Sequence, residues 1–136
     1  MTEPAYKHMQ QSSLRGQHLA KQWHALFHAY AQQYPDLAQQ WKLAMANQLP
    51  PLHDLPQYKA GQSIATRQAS GDVLNAIAKQ VPWLIGGDAD LSSSTKTYLQ
   101  GGNTFNGQTG AGRNIHYGVR EHAMASIANG IAYHGG

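Results

Sequence analysis

The stretch PWLIGGDADL, residues 82–91, decides the fold class of this chain. It opens with a short apolar run that two glycines close, so we predict a buried strand over residues 82–85. Residues 70–81, directly before it, carry apolar side chains at helical spacing and predict a helix whose inward-facing residues are Val73, Leu74 and Ile77. A helix that leads into a buried strand is typical of an α/β fold with a parallel sheet.

The residues after this stretch extend the same pattern. Residues 92–113 are rich in Ser, Thr, Asn and Gly and predict a long loop, of the kind that is usually functional or mobile. Residues 114–119 predict a second strand, and residues 121–134 predict a helix with one apolar face made by Met124, Ile127, Ala128 and Ile131. Two short strands do not make a stable parallel sheet, so we expect the α/β domain to be truncated.

The residues before the α/β pattern predict helices and then a linker. One apolar helical face is made by Leu19, Trp23, Leu26, Phe27, Tyr30 and Tyr34. Pro35 interrupts this helix, and a second helix follows as far as Met45. Residues 49–58 contain three prolines and predict an irregular linker. We therefore expect a helical segment with its linker at 1–58 and an α/β domain at 59–136.

The composition excludes several classes of protein. The chain has 136 residues and no cysteine, which excludes disulfides, zinc–cysteine centres and a cysteine nucleophile. Its ten basic residues are scattered, so we expect no nucleic-acid partner, and a few well-placed arginines suit a phosphorylated small molecule better. Residues 1–20 hold no apolar run, and no stretch approaches the roughly 18 apolar residues of a membrane helix. We therefore expect no signal peptide, no membrane partner and a soluble, cytoplasmic chain.

Four short segments carry a resemblance to a known family by their order and spacing. They read ATR at 65–67, IGGDADL at 85–91, YGVREHAM at 117–124 and IANGIA at 127–132. Together they resemble the start of the pyrimidine-binding domain of transketolase. Residues 23–49 resemble the end of that family's first domain and the linker that follows it. Dihydroxyacetone synthase has a closely similar pattern and remains an alternative.

The resemblance implies an enzyme of the pentose phosphate pathway, a transferase that moves a two-carbon ketol group from a ketose phosphate to an aldose phosphate. Such enzymes use thiamine diphosphate and a divalent metal such as Mg²⁺, and their active site lies between the two subunits of a homodimer. One subunit's first domain binds the diphosphate and the metal, while the other subunit's pyrimidine-binding domain holds the aminopyrimidine. This chain would then supply only part of the pyrimidine side, with no metal ligand and no activity by itself.

The resemblance assigns both a catalytic and a cofactor-binding role to Glu121, which lies within YGVREHAM. In this cofactor family a glutamate bonds N1′ of the pyrimidine, which favours the imino tautomer whose 4′-nitrogen removes the proton from thiazolium C2. A carboxylate that keeps or shares a proton in an apolar pocket suits this task. Taken without the motif, Glu121 is a first-turn acid of the kind that the helix dipole favours.

The other candidate site residues fall into two groups. Asp90 matches the family's aspartate beside the thiamine rings, and Leu91 and Val119 are the expected apolar neighbours of the cofactor. Arg67 and Ser94 match positions that bind the substrate phosphate, through a charge-assisted bond and a hydroxyl bond. The alternatives are a turn aspartate, a solvated arginine and a loop serine. The family commonly has a proline directly before that serine, where this chain has another serine.

Two further patterns imitate metal sites and are interpreted otherwise. Residues 87–89 together with Asn114 imitate the metal–diphosphate motif of thiamine enzymes, but their segment matches the turn of the pyrimidine-binding domain instead. His24 and His28 have the spacing of a helical metal pair, yet no third ligand is evident, so we interpret them as solvated. No role is assigned to His116 and His122.

Two other functions remain open from the sequence. The chain could be a non-catalytic interaction module, such as a truncated paralogue that binds a partner. It could also be one component of a split thiamine diphosphate enzyme whose other domains lie on separate polypeptides. The reading frame and the neighbouring genes on either side would distinguish these possibilities.

Overall fold

The computed structural model describes residues 2–135, and within them the chain forms five helices and two strands. These are α1 (Glu3–Gln33), α2 (Pro35–Met45), α3 (Thr66–Gln80), β1 (Gly86–Asp88), α4 (Ser92–Thr95), β2 (Asn114–His116) and α5 (Glu121–His134). The chain divides into two compact units, one up to Trp41 and one from Lys42. Helices combined with a small parallel sheet confirm the predicted α/β class.

The first unit holds α1 and the beginning of α2. Helix α1 buries none of its residues. It begins at Glu3, well before Leu19, the first residue of the apolar face from which the helix was predicted. The Trp41 ring packs with those of Trp23 and Phe27, at centroid distances of 5.9 and 4.6 Å. Pro35 is the first residue of α2, where its missing N–H breaks no helical hydrogen bond. The predicted break between the two helices is confirmed.

Residues 46–65 connect α2 to α3 without a regular helix or strand, so the irregular conformation predicted over residues 49–58 is confirmed. The Gln80 side chain accepts a hydrogen bond from the His53 N–H at 2.9 Å and donates one to the His53 carbonyl at 2.7 Å. Tyr58 donates its hydroxyl to the Asp72 carboxylate at 3.3 Å. The linker is therefore fastened to α3 at two points. The division of the chain near residue 59 stays a prediction.

Helix α3 is the helix predicted at 70–81, and it begins earlier, at Thr66. A side chain from far along the chain caps its C-terminal end. Arg113 donates from Nη1 to the carbonyls of Ala78 at 3.0 Å and Val81 at 3.2 Å. A cation on the last carbonyls of a helix offsets their partial negative charge. Arg113, the residue directly before β2, thus ties the end of α3 to the start of that strand.

The strand predicted at 82–85 is wrong in its position. The start of that apolar run is a turn, and β1 follows over Gly86–Asp88. Strand pairing explains the shift. β1 lies parallel to β2 with Gly87 opposite Ile115, and a Cβ at Gly87 would collide with the Ile115 carbonyl oxygen. The two backbones can approach this closely only where glycine stands.

The long loop predicted at 92–113 is only partly irregular. It begins with the short helix α4 and contains a parallel bridge to β2, between Thr104 and Asn114. Leu99, near its middle, is 0% exposed. A fully buried leucine shows that this segment folds back into the core, so it is not a free surface loop.

The last two predicted elements are found close to where the sequence places them. β2 covers Asn114–His116, shorter than the strand predicted over 114–119. Helix α5 has the predicted bounds, Glu121–His134. Among residues 2–135, no helix combines the length and the apolar character that crossing a membrane requires.

Candidate functional site

The two parallel strands end at the same edge of the sheet, and both candidate cofactor segments leave from that edge. The last bond between the strands runs from the Tyr117 N–H to the Asp88 carbonyl at 3.1 Å. Residues 89–91 continue from β1, and residues 117–121 continue from β2 into α5. Ligands of open α/β sheets bind outside the carboxyl ends of the strands. The fold therefore brings together the ends that carry Asp90, Leu91, Val119 and Glu121.

The turn after β1 is built by Asp88. Its Oδ1 accepts hydrogen bonds from the N–H groups of Leu91 at 2.6 Å and Ser92 at 2.9 Å, and so satisfies the start of α4. Asp90, between them, has a left-handed backbone with φ of 64° and an exposed side chain. The Asp90 carboxylate has no hydrogen bond or ion pair within residues 2–135. Asp88 therefore shapes the turn, and Asp90 is left available to a ligand.

The pattern that imitates a metal–diphosphate motif is explained by backbone contacts. Asp88 is occupied by the turn just described. Asn114 is 3% exposed, and its amide bonds the Leu99 N–H at 2.8 Å, the Leu99 carbonyl at 3.0 Å and the Asn103 carbonyl at 3.1 Å. The described residues contain no group of three or more His, Cys, Asp or Glu side chains that could hold a metal. The roles of Asp88 and Asn114 are structural.

The turn after β2 presents Glu121. Gly118 has a φ of 66°, which glycine adopts without strain, and Arg120 donates from Nη1 to the Tyr117 carbonyl at 2.8 Å. Helix α5 then begins at Glu121, whose exposed carboxylate has no hydrogen bond or ion pair in the described part of the chain. Val119 is 77% exposed beside it. Residues 2–135 alone therefore do not build the apolar pocket expected around Glu121.

Arg67, Gly71 and Asn75 follow one another at four-residue intervals, so they form one stripe along α3. Gly71 faces α4 so closely that a Cβ there would lie 2.7 Å from the Lys96 Cβ. The Asn75 amide donates to the Tyr98 carbonyl at 3.1 Å and accepts from the Gln100 N–H at 2.7 Å. The stripe therefore runs alongside residues 96–100, in the same direction along the chain.

Extending this stripe by one helical turn leads from Gly71 to Arg67, and on the facing side from Lys96 back towards Ser94. Both Arg67 and Ser94 are exposed, and neither side chain has a hydrogen bond within residues 2–135. The candidate phosphate-binding residues therefore lie on the two elements that the Gly71 contact joins. Sequence reasoning missed Gly71 and Asn75, although their spacing from Arg67 was a visible signal.

A polar cleft of about 460 Å³ opens between α3 and α4. Its walls include Gln68, Asp72, Ser92, Ser93, Lys96 and Tyr98. The Asp72 carboxylate accepts hydrogen bonds from Gln68 at 2.8 Å and Tyr58 at 3.3 Å. Partial burial, together with the nearby Asp72 charge, raises the pKa of Tyr58 above its ordinary value.

Comparison with known proteins identifies the class. Residues 62–136 match the family model described as transketolase, pyrimidine-binding domain, and the chain belongs to the transketolase family. It is 44% identical to the transketolase of Halalkalibacterium halodurans over 136 residues, 98% of this chain and 20% of that protein. It is 51% identical to the Geobacillus stearothermophilus transketolase over 116 residues, 84% of this chain and 17% of that protein. The chain thus spans about a fifth of the length of these curated relatives.

A solved structure agrees with this assignment. The Pichia stipitis transketolase, crystallised as a complex with sedoheptulose-7-phosphate, superposes with a TM-score of 0.81 and 42% identity. The match covers 90% of this chain and 19% of the Pichia chain. The resemblance read from the four sequence segments is confirmed, and so is the fold that it implied.

Proposed function

We propose that this chain supplies the pyrimidine side of a transketolase site, in which a two-carbon ketol group passes from a ketose phosphate to an aldose phosphate. One observation carries the proposal. Asp90 and Glu121, two exposed carboxylates without partners in the described residues, follow adjacent parallel strands at the same edge of the sheet. That edge lies inside the region that matches the family's pyrimidine-binding domain.

The side chains at this edge fit thiamine diphosphate. Leu91 and Val119 are 51% and 77% exposed and offer apolar contacts to a planar ring. Glu121 would bond N1′ of the pyrimidine, which would favour the imino tautomer whose 4′-nitrogen is the base for the thiazolium C2 proton. Thiamine diphosphate, when bound, supplies the carbon nucleophile that takes up the two-carbon unit. We assign the diphosphate and its Mg²⁺, or another divalent metal, to protein outside this chain.

The substrates follow from the second group of residues. Arg67 binds the sugar phosphate through charge-assisted hydrogen bonds, and Ser94 adds a hydroxyl bond. The Pichia relative was crystallised with a phosphorylated ketose, which supports this class of substrate. We further propose that the complete enzyme is a cytoplasmic homodimer of the pentose phosphate pathway, and that the isolated chain does not turn over substrate.

The test uses a complete enzyme, made by putting this chain in place of the segment it matches in the Halalkalibacterium transketolase. We call this enzyme the chimera. Once the chimera is shown to be active, Glu121→Ala should lower its turnover by at least about a hundredfold, the scale of a lost proton-transfer group. Exchange of the thiazolium C2 proton with deuterated water, measured on bound cofactor, should slow in parallel. His122→Ala is the matched control, because it alters the next residue, to which no role is assigned.

Normal C2 exchange in Glu121→Ala, with cofactor bound, would show that Glu121 is only a first-turn acid and would remove the chemical basis of the proposal. The isolated chain is measured beside the chimera with thiamine diphosphate and Mg²⁺ added. Ketol transfer above the blank by the isolated chain would refute its proposed inactivity. It would leave the assignment of Glu121 untouched.

A further inference from the structure

We infer that Gly71 and Asn75 are positioning residues, which hold α4 against α3 and so fix Ser94 beside Arg67 for a sugar phosphate. The inference rests on the proposed function for its ligand, and on the α3 stripe for its geometry. Neither Gly71 nor Asn75 touches the phosphate in this arrangement. They act through the two residues that do.

The absence of a side chain at Gly71 sets how closely α3 and α4 approach. A Cβ on this buried helical residue would lie 2.7 Å from the Lys96 Cβ and 2.8 Å from the Lys96 carbonyl oxygen. Both distances are too short for packed atoms, so any larger residue must push Lys96 away. Lys96 ends α4 with a left-handed φ of 61°, and its N–H bonds the Ser92 carbonyl at 2.9 Å. A shift of Lys96 therefore moves the whole of α4, including Ser94.

Asn75 fastens the other end of the same contact. Its Nδ2 donates to the Gly71 carbonyl at 2.9 Å and to the Tyr98 carbonyl at 3.1 Å, while its Oδ1 accepts from the Gln100 N–H at 2.7 Å. The amide thereby joins the α3 backbone to the segment after α4 in both hydrogen-bonding directions. No other polar side chain of comparable volume offers donor and acceptor in this arrangement.

The position of Arg67 makes this contact matter for a phosphate. Arg67 lies one helical turn from Gly71 on the same face of α3, and a turn advances about 5.4 Å along the axis. A phosphate held between Arg67 and Ser94 therefore senses any change in the spacing of α3 and α4. Charge-assisted bonds lose strength steeply once the donor–acceptor distance exceeds the hydrogen-bonding range.

The experiment measures the chimera with hydroxypyruvate, a ketol donor without phosphate, and two matched acceptors, ribose 5-phosphate and ribose. Gly71→Ala should raise the KM for ribose 5-phosphate by about tenfold or more, the scale of a lost charge-assisted bond. It should leave the KM for ribose and the affinity for thiamine diphosphate within about twofold. Asn75→Asp keeps the acceptor but loses both donated bonds, so it should act in the same direction with a smaller effect. Gly16→Ala is the control, because it adds the same methyl group to a helix where nothing lies within 4 Å.

A reversal sharpens the test. Lys96→Gly removes the Cβ with which the methyl group added by Gly71→Ala would collide, and glycine suits the left-handed backbone at that position. Added to Gly71→Ala, it relieves one of the two clashes, because the carbonyl oxygen of residue 96 stays 2.8 Å from the added methyl group. It should therefore restore part of the lost ribose 5-phosphate affinity, which a double-mutant cycle reports as coupling. Equal losses for ribose and ribose 5-phosphate, or no loss, would overturn the positioning role. If Gly71→Ala does not fold, Asn75→Asp decides by the same criterion.

The two proposals can fail separately in this assay. Arg67→Ala should selectively weaken ribose 5-phosphate, because it removes the phosphate contact itself. If Arg67→Ala selectively weakens ribose 5-phosphate but neither Gly71→Ala nor Asn75→Asp does, only the positioning role is refuted. An Arg67→Ala variant that weakens both acceptors equally, or thiamine diphosphate instead, removes the phosphate site on which the inference rests.

Discussion

Two regions of the molecule differ in how strongly contacts within residues 2–135 stabilise them: the segment from Leu99 to β2, and the helix α5. Leu99 is fully buried and Asn114 almost so, and one amide side chain closes the loop between them with three hydrogen bonds. Helix α5 has 14 residues and buries none of them, and its Tyr133 is 97% exposed. A groove of about 410 Å³, lined largely by apolar side chains, separates α5 from the strands.

This difference separates the two halves of the proposed site. The side that carries Arg67 and Ser94 is fixed by contacts within the described chain. The side that carries Glu121 stands on a helix whose apolar residues Ile127 and Ile131 remain 46% and 40% exposed. An amphipathic helix obtains most of its stability by burying such a face. We therefore expect α5, and with it Glu121, to be held less firmly by the described residues than the side that carries Arg67.

The largest effect is expected at the amide that closes the loop. Asn114→Ala would leave the buried Leu99 N–H without a partner, at about 1–3 kcal/mol. The carbonyls of Leu99 and Asn103 would keep their bonds from the N–H groups of Gly102 and residue 114. An ordinary domain has only about 5–15 kcal/mol of stability, so the isolated chain should lose a substantial share of its free energy of unfolding. Circular dichroism and amide NMR dispersion measure this loss.

Asn106→Ala is the matched control for that variant. The Asn106 side chain accepts hydrogen bonds from the N–H groups of Gln108 at 2.9 Å and Thr109 at 3.3 Å, but in an exposed turn. Water can replace these bonds, so the substitution should cost about 0.5 kcal/mol or less. Equal effects of the two substitutions would contradict the idea that the buried amide, and not turn formation in general, organises this segment.

A smaller effect is expected in native-state hydrogen exchange. The amides of α5 should exchange through local opening that costs about 1 kcal/mol or less, while the Leu99 amide should exchange only in the highest-energy opening of the chain. The isolated chain should also unfold with marginal cooperativity, because α5 leaves an apolar face open. In the chimera, α5 should become protected. Protection of α5 equal to that of Leu99 in the isolated chain would show that α5 needs no further cover.

The elements that local sequence patterns predict correctly are those whose signal lies within the element itself. The bounds of α5 were predicted because its apolar residues repeat at helical spacing. The helix α3 and the break at Pro35 were predicted for similar local reasons. The strand over 82–85 was misplaced because an apolar run indicates burial, whereas the pairing partner decides which residues form the strand.

The interactions that hold the core were beyond sequence reasoning for a physical reason. Asn114 bonds Leu99 from 15 residues away, and Arg113 caps α3 from 35 residues away. Such side-chain bonds to distant backbone leave no periodic signal, and Asn114 could even be mistaken for part of a metal motif. The roles of the candidate residues Arg67, Ser94, Asp90, Leu91, Val119 and Glu121 stay predictions.

The smallest effect concerns Tyr58, which joins the linker to α3, the helix that carries Arg67. Its phenol donates to Asp72, and partial burial with the Asp72 charge raises the pKa of Tyr58 above the ordinary 10.0. Because the folded-state pKa is the higher one, the stabilisation is present in full below about pH 10 and is lost as the pH rises through the folded-state pKa. Tyrosinate absorbance, taken as the difference between the wild type and Tyr58→Phe, should show this late titration.

Asp72→Asn should move the pKa of Tyr58 back towards its ordinary value, because it removes the negative charge that opposes ionisation. An unchanged pKa of Tyr58 in Asp72→Asn would mean that the charge of Asp72 does not act on Tyr58. The linker would then contribute no electrostatic interaction with α3 through this pair.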